Sequence, residues 1–191
     1  MSARTVGIDE VTARITSLRD AHAPVLVGID GAGGAGKSTL AAAIAERLGS
    51  DAVVIPMDDF IVRDRILDDS WEHGWDRHRL LEQVMGPVRH GTPVAYRRLE
   101  WVSNTLSEPI AVREASIVII EGITALHPAL APHFDLTVWV ETDAAIALER
   151  GRARDAGNEN AQHWELWSSN DARYRAEHAP QHRADLIVRG A

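Results

Sequence analysis

Eight consecutive residues limit the folds open to this chain more than any other feature. Gly31-Ala-Gly-Gly-Ala-Gly36-Lys37-Ser38 matches G-x-x-x-x-G-K-[ST] at every fixed position. It directly follows the apolar run Val25–Ile29 and directly precedes an Ala- and Leu-rich stretch, Ser38 to Leu48, that stops at Gly49. A strand feeding a helix through such a loop forms a phosphate cradle. Gly31, Gly33, Gly34 and Gly36, with the small Ala32 and Ala35 between them, let the backbone turn tightly until its N–H groups converge on phosphate oxygens, and the helix N-terminus adds its positive end. Lys37 reaches the β and γ phosphates, the Ser38 hydroxyl is a Mg²⁺ ligand, and the cradle runs on into Thr39. A Gly-rich turn without a ligand needs neither Lys37 nor Ser38.

The remaining pattern alternates. Ala52–Ile55, Ile117–Ile120, Leu136–Val140 and Leu186–Val188 join Val25–Ile29 as short, largely β-branched apolar runs, the mark of strands covered on both faces. Helix-like stretches separate them: Asp76 caps one through about Met85, Asp143 caps one through about Ala156, and Ala161 to Glu177 reads as another. This predicts an α/β three-layer sandwich around a parallel sheet. No linker or repeat divides residues 1–191, so one domain is expected. Two long connections, within about residues 60–113, interrupt the alternation and read as the substrate side.

Composition removes several function classes. A formal charge of −8 opposes general nucleic-acid binding, which needs a cationic surface. No apolar run approaches a membrane span, and the first 20 residues mix charges into their apolar positions, unlike a signal peptide, so a cytoplasmic location is the default. With no cysteine there is no disulfide, thiolate metal site or Cys nucleophile. The nine histidines are scattered, without ligand spacing. No Asn-Lys-x-Asp occurs and no Asp-x-x-Gly follows the third strand, which opposes a guanine-nucleotide switch.

Three further constellations bear on phosphate chemistry. Glu121, closing the run Ile117–Ile120, is a candidate for the Mg²⁺ shell, and so is Asp58 of the acid pair Asp58-Asp59 that follows the second strand, at the sheet end where ligands lie. Asp58 is also the candidate to orient an acceptor hydroxyl and take its proton. Arg150 and Arg154 share a helix face, whereas Arg152 points elsewhere, and Gly157-Asn158 follows as a hinge. Among the tryptophans, Trp139 reads as core and Trp164 and Trp167 as packing, while Trp71, Trp75 and Trp101 are candidates for stacking on an acceptor.

The loop Gly31 to Ser38, Met57-Asp58-Asp59-Phe60, the stretch from Val88 to Tyr96, Glu121-Gly122-Ile123, Arg150 to Asp155 and Arg183-Ala-Asp185-Leu-Ile-Val188 together resemble the uridine kinase and phosphoribulokinase family, in order and spacing over about residues 22–190. A Tyr96-Arg97-Arg98 segment before Trp101 and the pair Trp164, Trp167 resemble bacterial uridine kinase-like proteins more narrowly, although the His that reads the nucleoside in uridine kinases is missing after Tyr96. The resemblance implies a five-stranded parallel sheet in the order 2-3-1-4-5 and a helical lid at about residues 150–165. It further implies ATP and Mg²⁺ as cofactors; Asp58, Lys37 and Arg154 as catalytic residues; Arg150 beside the nucleotide; and Asp59, Phe60, Tyr96, Arg98 and Trp101 toward the acceptor. The expected activity is γ-phosphoryl transfer to a hydroxyl of a nucleoside, ribosyl compound or similar small molecule, with a nucleotide-binding regulator as the alternative. The expected partners are a nucleotide and that acceptor, without nucleic acid or membrane, and with homodimerisation left open.

Overall fold

The structure, a computed structural model, describes residues 4–21, 24–67 and 71–190. Along the chain, β1 (Arg4–Val6) and α1 (Ile8–Ala21) precede β2 (Val25–Asp30), α2 (Lys37–Leu48) and β3 (Ala52–Pro56). The substrate-side segment holds α3 (Arg63–Ile66), α4 (Arg77–Leu80), α5 (Gly86–His90) and four two-residue strands: β4 (Ala95–Tyr96), β5 (Leu99–Glu100), β6 (Thr105–Leu106) and β7 (Ile110–Ala111). Then follow β8 (Ile117–Glu121), β9 (Leu136–Glu141), α6 (Ala144–Arg154), α7 (Trp164–His178), α8 (Pro180–Arg183) and β10 (Leu186–Arg189).

Six parallel strands form the main sheet in the order β1-β10-β9-β2-β8-β3. Counting from β2, this is the expected order 2-3-1-4-5, and the expectation of five strands is corrected by β1, which pairs with β10 at the edge. Its three residues are too short for a period-2 pattern to register. The helix that follows it, α1, buries only Val11 and Ile15, which stand four apart and seat it on the sheet.

β2 lies between β8 and β9, and all six of its residues are buried. Its side chains alternate: Val25, Val27 and Ile29 meet α1 and α2 on one face, while Leu26 points to the other, where Ile55, Leu80 and Val84 gather. The predicted caps hold, with Asp76 accepting from Arg79 N–H and Asp143 from the N–H groups of Ala145 and Ile146. The helix begun at Asp76 continues past Met85 to His90 through a π-helical turn, Leu81–Met85, and Pro87, which has no N–H to donate, stands directly after that turn. Residues 95–111 make two nested antiparallel pairs, β4 with β7 and β5 with β6, so that Trp101 lies at the tip of an arm. Among the described residues no helix is long and apolar enough to cross a membrane.

Candidate active site

The phosphate loop starts from a buried anchor. Asp30, fully buried at the end of β2, accepts hydrogen bonds from the N–H groups of Gly31 (2.7 Å), Thr124 (3.1 Å) and Leu126 (2.9 Å) and from the Tyr174 hydroxyl (2.7 Å). Burial pushes its pKa up, and these bonds with nearby Lys37 pull it back. One carboxylate thereby ties together the loop, the segment after β8 and α7. Gly34, at φ 79°, occupies left-handed backbone, and a Cβ there would stand 2.1 Å from the Ala147 carbonyl oxygen. Helix α2 begins after Gly36 with no side-chain cap and no acid in its first turn, which leaves its positive end facing the loop.

Lys37, only 7% exposed, donates from Nζ to the Ala32 carbonyl at 2.9 Å, curling back under the loop. Ser38 Oγ donates to Glu121 Oε1 at 3.0 Å. Burial raises the pKa of Glu121, Lys37 and the Ser38 hydrogen bond oppose that rise, and the charge of Asp58 adds to it. Asp58 is open to the adjoining cavity but has protein packed around its other sides. Its pKa is raised by desolvation, lowered by Lys37 and Arg154, and raised again by Asp59. Two carboxylates and a hydroxyl, supplied by three different elements, form a hard-oxygen donor set that suits a divalent cation.

Two cavities meet at this point. One, of about 470 Å³, is lined by Asp58, Asp59, Glu121 and tryptophans from three segments. The other, of about 870 Å³, is lined by Thr39, Arg150, Gly190 and the start of α1. Gly34, Lys37, Ser38 and Arg154 belong to both walls. Arg150 and Arg154 therefore do share a face, while Arg152 turns away to pair with Glu165.

The residues expected toward the acceptor divide into two sets. Asp59 and Trp101 line the smaller cavity. Phe60 and Tyr96 stand behind its wall: Phe60 is fully buried, stacked on Tyr96 at 5.2 Å, and Tyr96 donates its hydroxyl to Asp59 Oδ2 at 2.6 Å. Arg98 is exposed and paired with Glu100. Trp75 also lines the cavity, whereas the side chain of Trp71 lies outside the described residues. Trp139 is core, as expected. Trp164 and Trp167, expected to pack, do pack against each other at 5.5 Å and also line the cavity.

Trp164, at the end of the segment 150–165, packs against the loop. Asp155 accepts from the Trp164 indole N–H at 2.9 Å and pairs with Arg154, and its pKa is lowered by these contacts against a desolvation that would raise it. The Trp164 ring lies over both Gly33 and Gly151, and a Cβ on Gly151 would come within 2.3 Å of it. Gly151→Ala should therefore destabilise the protein by about 1 to 3 kcal/mol, read as a lower urea midpoint. An unchanged midpoint would mean that this indole does not seat there.

Sequence reasoning missed Asp30 and Asp171, which accepts from the Gly33 N–H at 2.7 Å. An acid closing an otherwise apolar strand was a usable signal for Asp30, but nothing local marked Asp171, since α7 carries acids and bases all round. It also missed a meeting of Glu72 with His127 (2.8 Å) and His178 (3.5 Å), residues far apart in the chain. The Ala129 N–H points at His127 Nδ1, so the ring's own proton sits on Nε2, facing Glu72. A ligating histidine has the reverse arrangement, and this trio reads as a structural clasp.

Comparisons with known proteins agree with this architecture. The family model described as zeta toxin matches residues 8–66. The uridine kinase of Staphylococcus carnosus (strain TM300) is 29% identical over 145 residues, which cover 70% of this chain and 69% of that protein. Two solved structures superpose over nearly the whole chain. A possible uridine kinase from Bacillus stearothermophilus gives a TM-score of 0.67 at 20% identity, covering 94% of this chain and 99% of that one. A candidate fructose transport system kinase from Silicibacter sp. TM1040 gives 0.68 at 23% identity, covering 95% and 98%. The chain thus resembles the uridine kinases in sequence and has the three-layer α/β fold of the P-loop kinases.

Proposed function

We propose that the protein transfers the γ-phosphoryl group of ATP to a hydroxyl of a small molecule, working as one kinase domain. The observation that carries this reading is the meeting of two cavities across the phosphate loop, with Lys37, Ser38 and Arg154 in both walls and Asp58 only in the smaller. The larger cavity takes the nucleotide, with Thr39 and Arg150 beside it and its phosphates along the loop of Gly31, Ala32, Gly33, Gly34, Ala35 and Gly36, whose Gly31, Gly33 and Ala35 N–H groups are held by Asp30, Asp171 and the Ala32 carbonyl, and at the uncapped N-terminus of α2. The smaller cavity takes the acceptor. The neighbours' names point to different acceptors, so the fold leaves its identity open.

Asp58 orients the acceptor hydroxyl and accepts its proton as the oxygen bonds to the γ-phosphorus and the bond to ADP breaks. Tyr96 bonds Asp59 and keeps it turned aside, which leaves Asp58 for this role. Lys37 and Arg154 face the charge that the phosphoryl group carries. Ser38, Asp58 and Glu121 would hold Mg²⁺, which neutralises phosphate charge when bound. Incubation with ATP, Mg²⁺ and a panel of nucleosides, sugars and vitamins should reveal at least one acceptor that accelerates ADP release. A rate that no acceptor changes would count against the reading.

Residues 150–165 act as a lid hinged near Gly157, which sits at φ 88°. The lid reaches the arm through the Trp101 indole, bonded to Glu159 at 2.7 Å. Proteolysis between Arg150 and Glu165 should slow when a nonhydrolysable ATP analogue and the acceptor are both present. Equal cleavage with and without ligands would exclude a lid.

A further inference from the structure

The smaller cavity is unbalanced in charge. Asp58, Asp59, Glu121, Glu159 and Asp171 line it against two cations, Lys37 and Arg154. With those cations turned to phosphate, and Asp58 and Glu121 at the transfer point, Asp59, Glu159 and Asp171 remain for the acceptor. Each is fixed by one donor: Tyr96 on Asp59, the Trp101 indole on Glu159, the Gly33 N–H on Asp171. Cations behind the wall have partners of their own. Arg175, which acts on Asp171 through space, bonds Glu141 at 3.4 Å and lies over Trp139, and Arg98, which acts on Asp59, is paired with Glu100; two lining rings already carry a cation, Arg63 over Trp101 and Arg154 over Trp164.

The rest of the wall is aromatic. Trp101, Trp164 and Trp167 each spend their indole N–H on the protein, on Glu159, Asp155 and the Ile66 carbonyl, which orients their rings. Two buried polar atoms of lining residues, Trp75 Nε1 and Thr124 Oγ1, have no hydrogen-bond partner among the described residues. Thr124 is 1% exposed and sits at φ 64°, a conformation that costs a β-branched residue energy. Strain of that kind clusters at ligand sites, where the surrounding structure holds it in place.

Indole faces combined with spare carboxylates form the recognition chemistry of an organic cation. We infer that the cavity takes an alcohol bearing a protonated amine on an aromatic or apolar body, the amine held by Asp171 and Glu159 against the tryptophan faces, with Thr124 and Trp75 hydrogen-bonding the body. This deepens the kinase reading and rests on it for the placing of the acceptor. The same charge balance repels anionic acceptors such as sugar phosphates.

Titration of intrinsic tryptophan fluorescence, with a nonhydrolysable ATP analogue and Mg²⁺ present, tests it on three probes of similar size. Phenylalaninol carries the amine, 3-phenylpropane-1,2-diol has a neutral hydroxyl in its place, and 3-phenyllactate is an anion. The amine should bind about tenfold more tightly than the neutral probe, and the anion most weakly. Asp171→Asn should erase that preference and still fold. Its melting temperature at neutral pH should not fall, because burial pushes the Asp171 carboxyl up to about 6, so its ionised form costs stability above the ordinary carboxylate range. Equal binding of amine and neutral probes, no binding of the amine at millimolar concentration, or a preference that survives in Asp171→Asn would each overturn the inference. ADP release with uridine, measured in parallel, keeps the two readings separate. Turnover of uridine without an amine preference leaves the kinase standing, and an amine preference with no turnover of any alcohol leaves only the cation site.

Discussion

Asp58→Asn is expected to lower kcat by about 10² to 10⁴-fold while leaving ATP affinity within a few fold. Asp58 is one of the two acids at the end of β3 and lines only the cavity assigned to the acceptor, so the loss should fall on the chemical step. Because phosphoryl transfer runs through a loose transition state, part of that loss reflects positioning of the hydroxyl. Asp59→Asn should do much less to kcat: its carboxylate is bonded by Tyr96, and an amide oxygen can still accept that bond. In the metal-free protein desolvation raises the Asp58 pKa, so NMR should find a carboxyl titrating above the ordinary aspartate value of 3.8 that is missing in Asp58→Asn. Should Asp59→Asn prove the dead variant and Asp58→Asn remain active, the two roles are exchanged.

Lys37→Ala is expected to weaken MgATP binding by about 1.5 to 3 kcal/mol and, through the lost charge at the transferring group, to lower kcat by about 10² to 10³-fold. Lys37 is buried and already curled onto the Ala32 carbonyl, so reaching phosphate needs only a short swing of its ammonium group. It is also the largest influence opposing the desolvation of both Asp58 and Glu121, whose raised pKa values should rise further without it. Calorimetry reads the first effect, and unchanged affinity in a folded variant would remove Lys37 from the phosphate site.

The sequence made the centre of this fold plain because its signals are local. The cradle motif sits between β2 and α2 within one continuous stretch, and Asp76 and Asp143 cap the helices they precede. Strand order came from resemblance, since periodicity says which residues form strands and nothing about which strands are neighbours. β1 stayed hidden because three residues carry too little pattern, and its edge position depends on β10, at the far end of the chain. The acceptor side was legible as a region but not residue by residue. Phe60 and Trp101 are both large aromatics in irregular segments, yet one is core and the other lines the cavity, a distinction decided only when α4 and the 95–111 arm pack. Asp171 joins the phosphate loop across a separation of 138 residues, which no spacing rule could anticipate.

The central claim, phosphoryl transfer at the meeting of the two cavities, is tested most directly with ATP labelled in its γ-phosphate. Once the screen has named an acceptor, the protein is incubated with it, labelled ATP and Mg²⁺, and the products are separated and weighed by mass spectrometry. The predicted result is one labelled phosphoryl group on the alcohol for each ADP formed, with the product sharply reduced in Asp58→Asn. Label appearing only as inorganic phosphate, or an alcohol phosphate formed equally well by Asp58→Asn, would contradict the account.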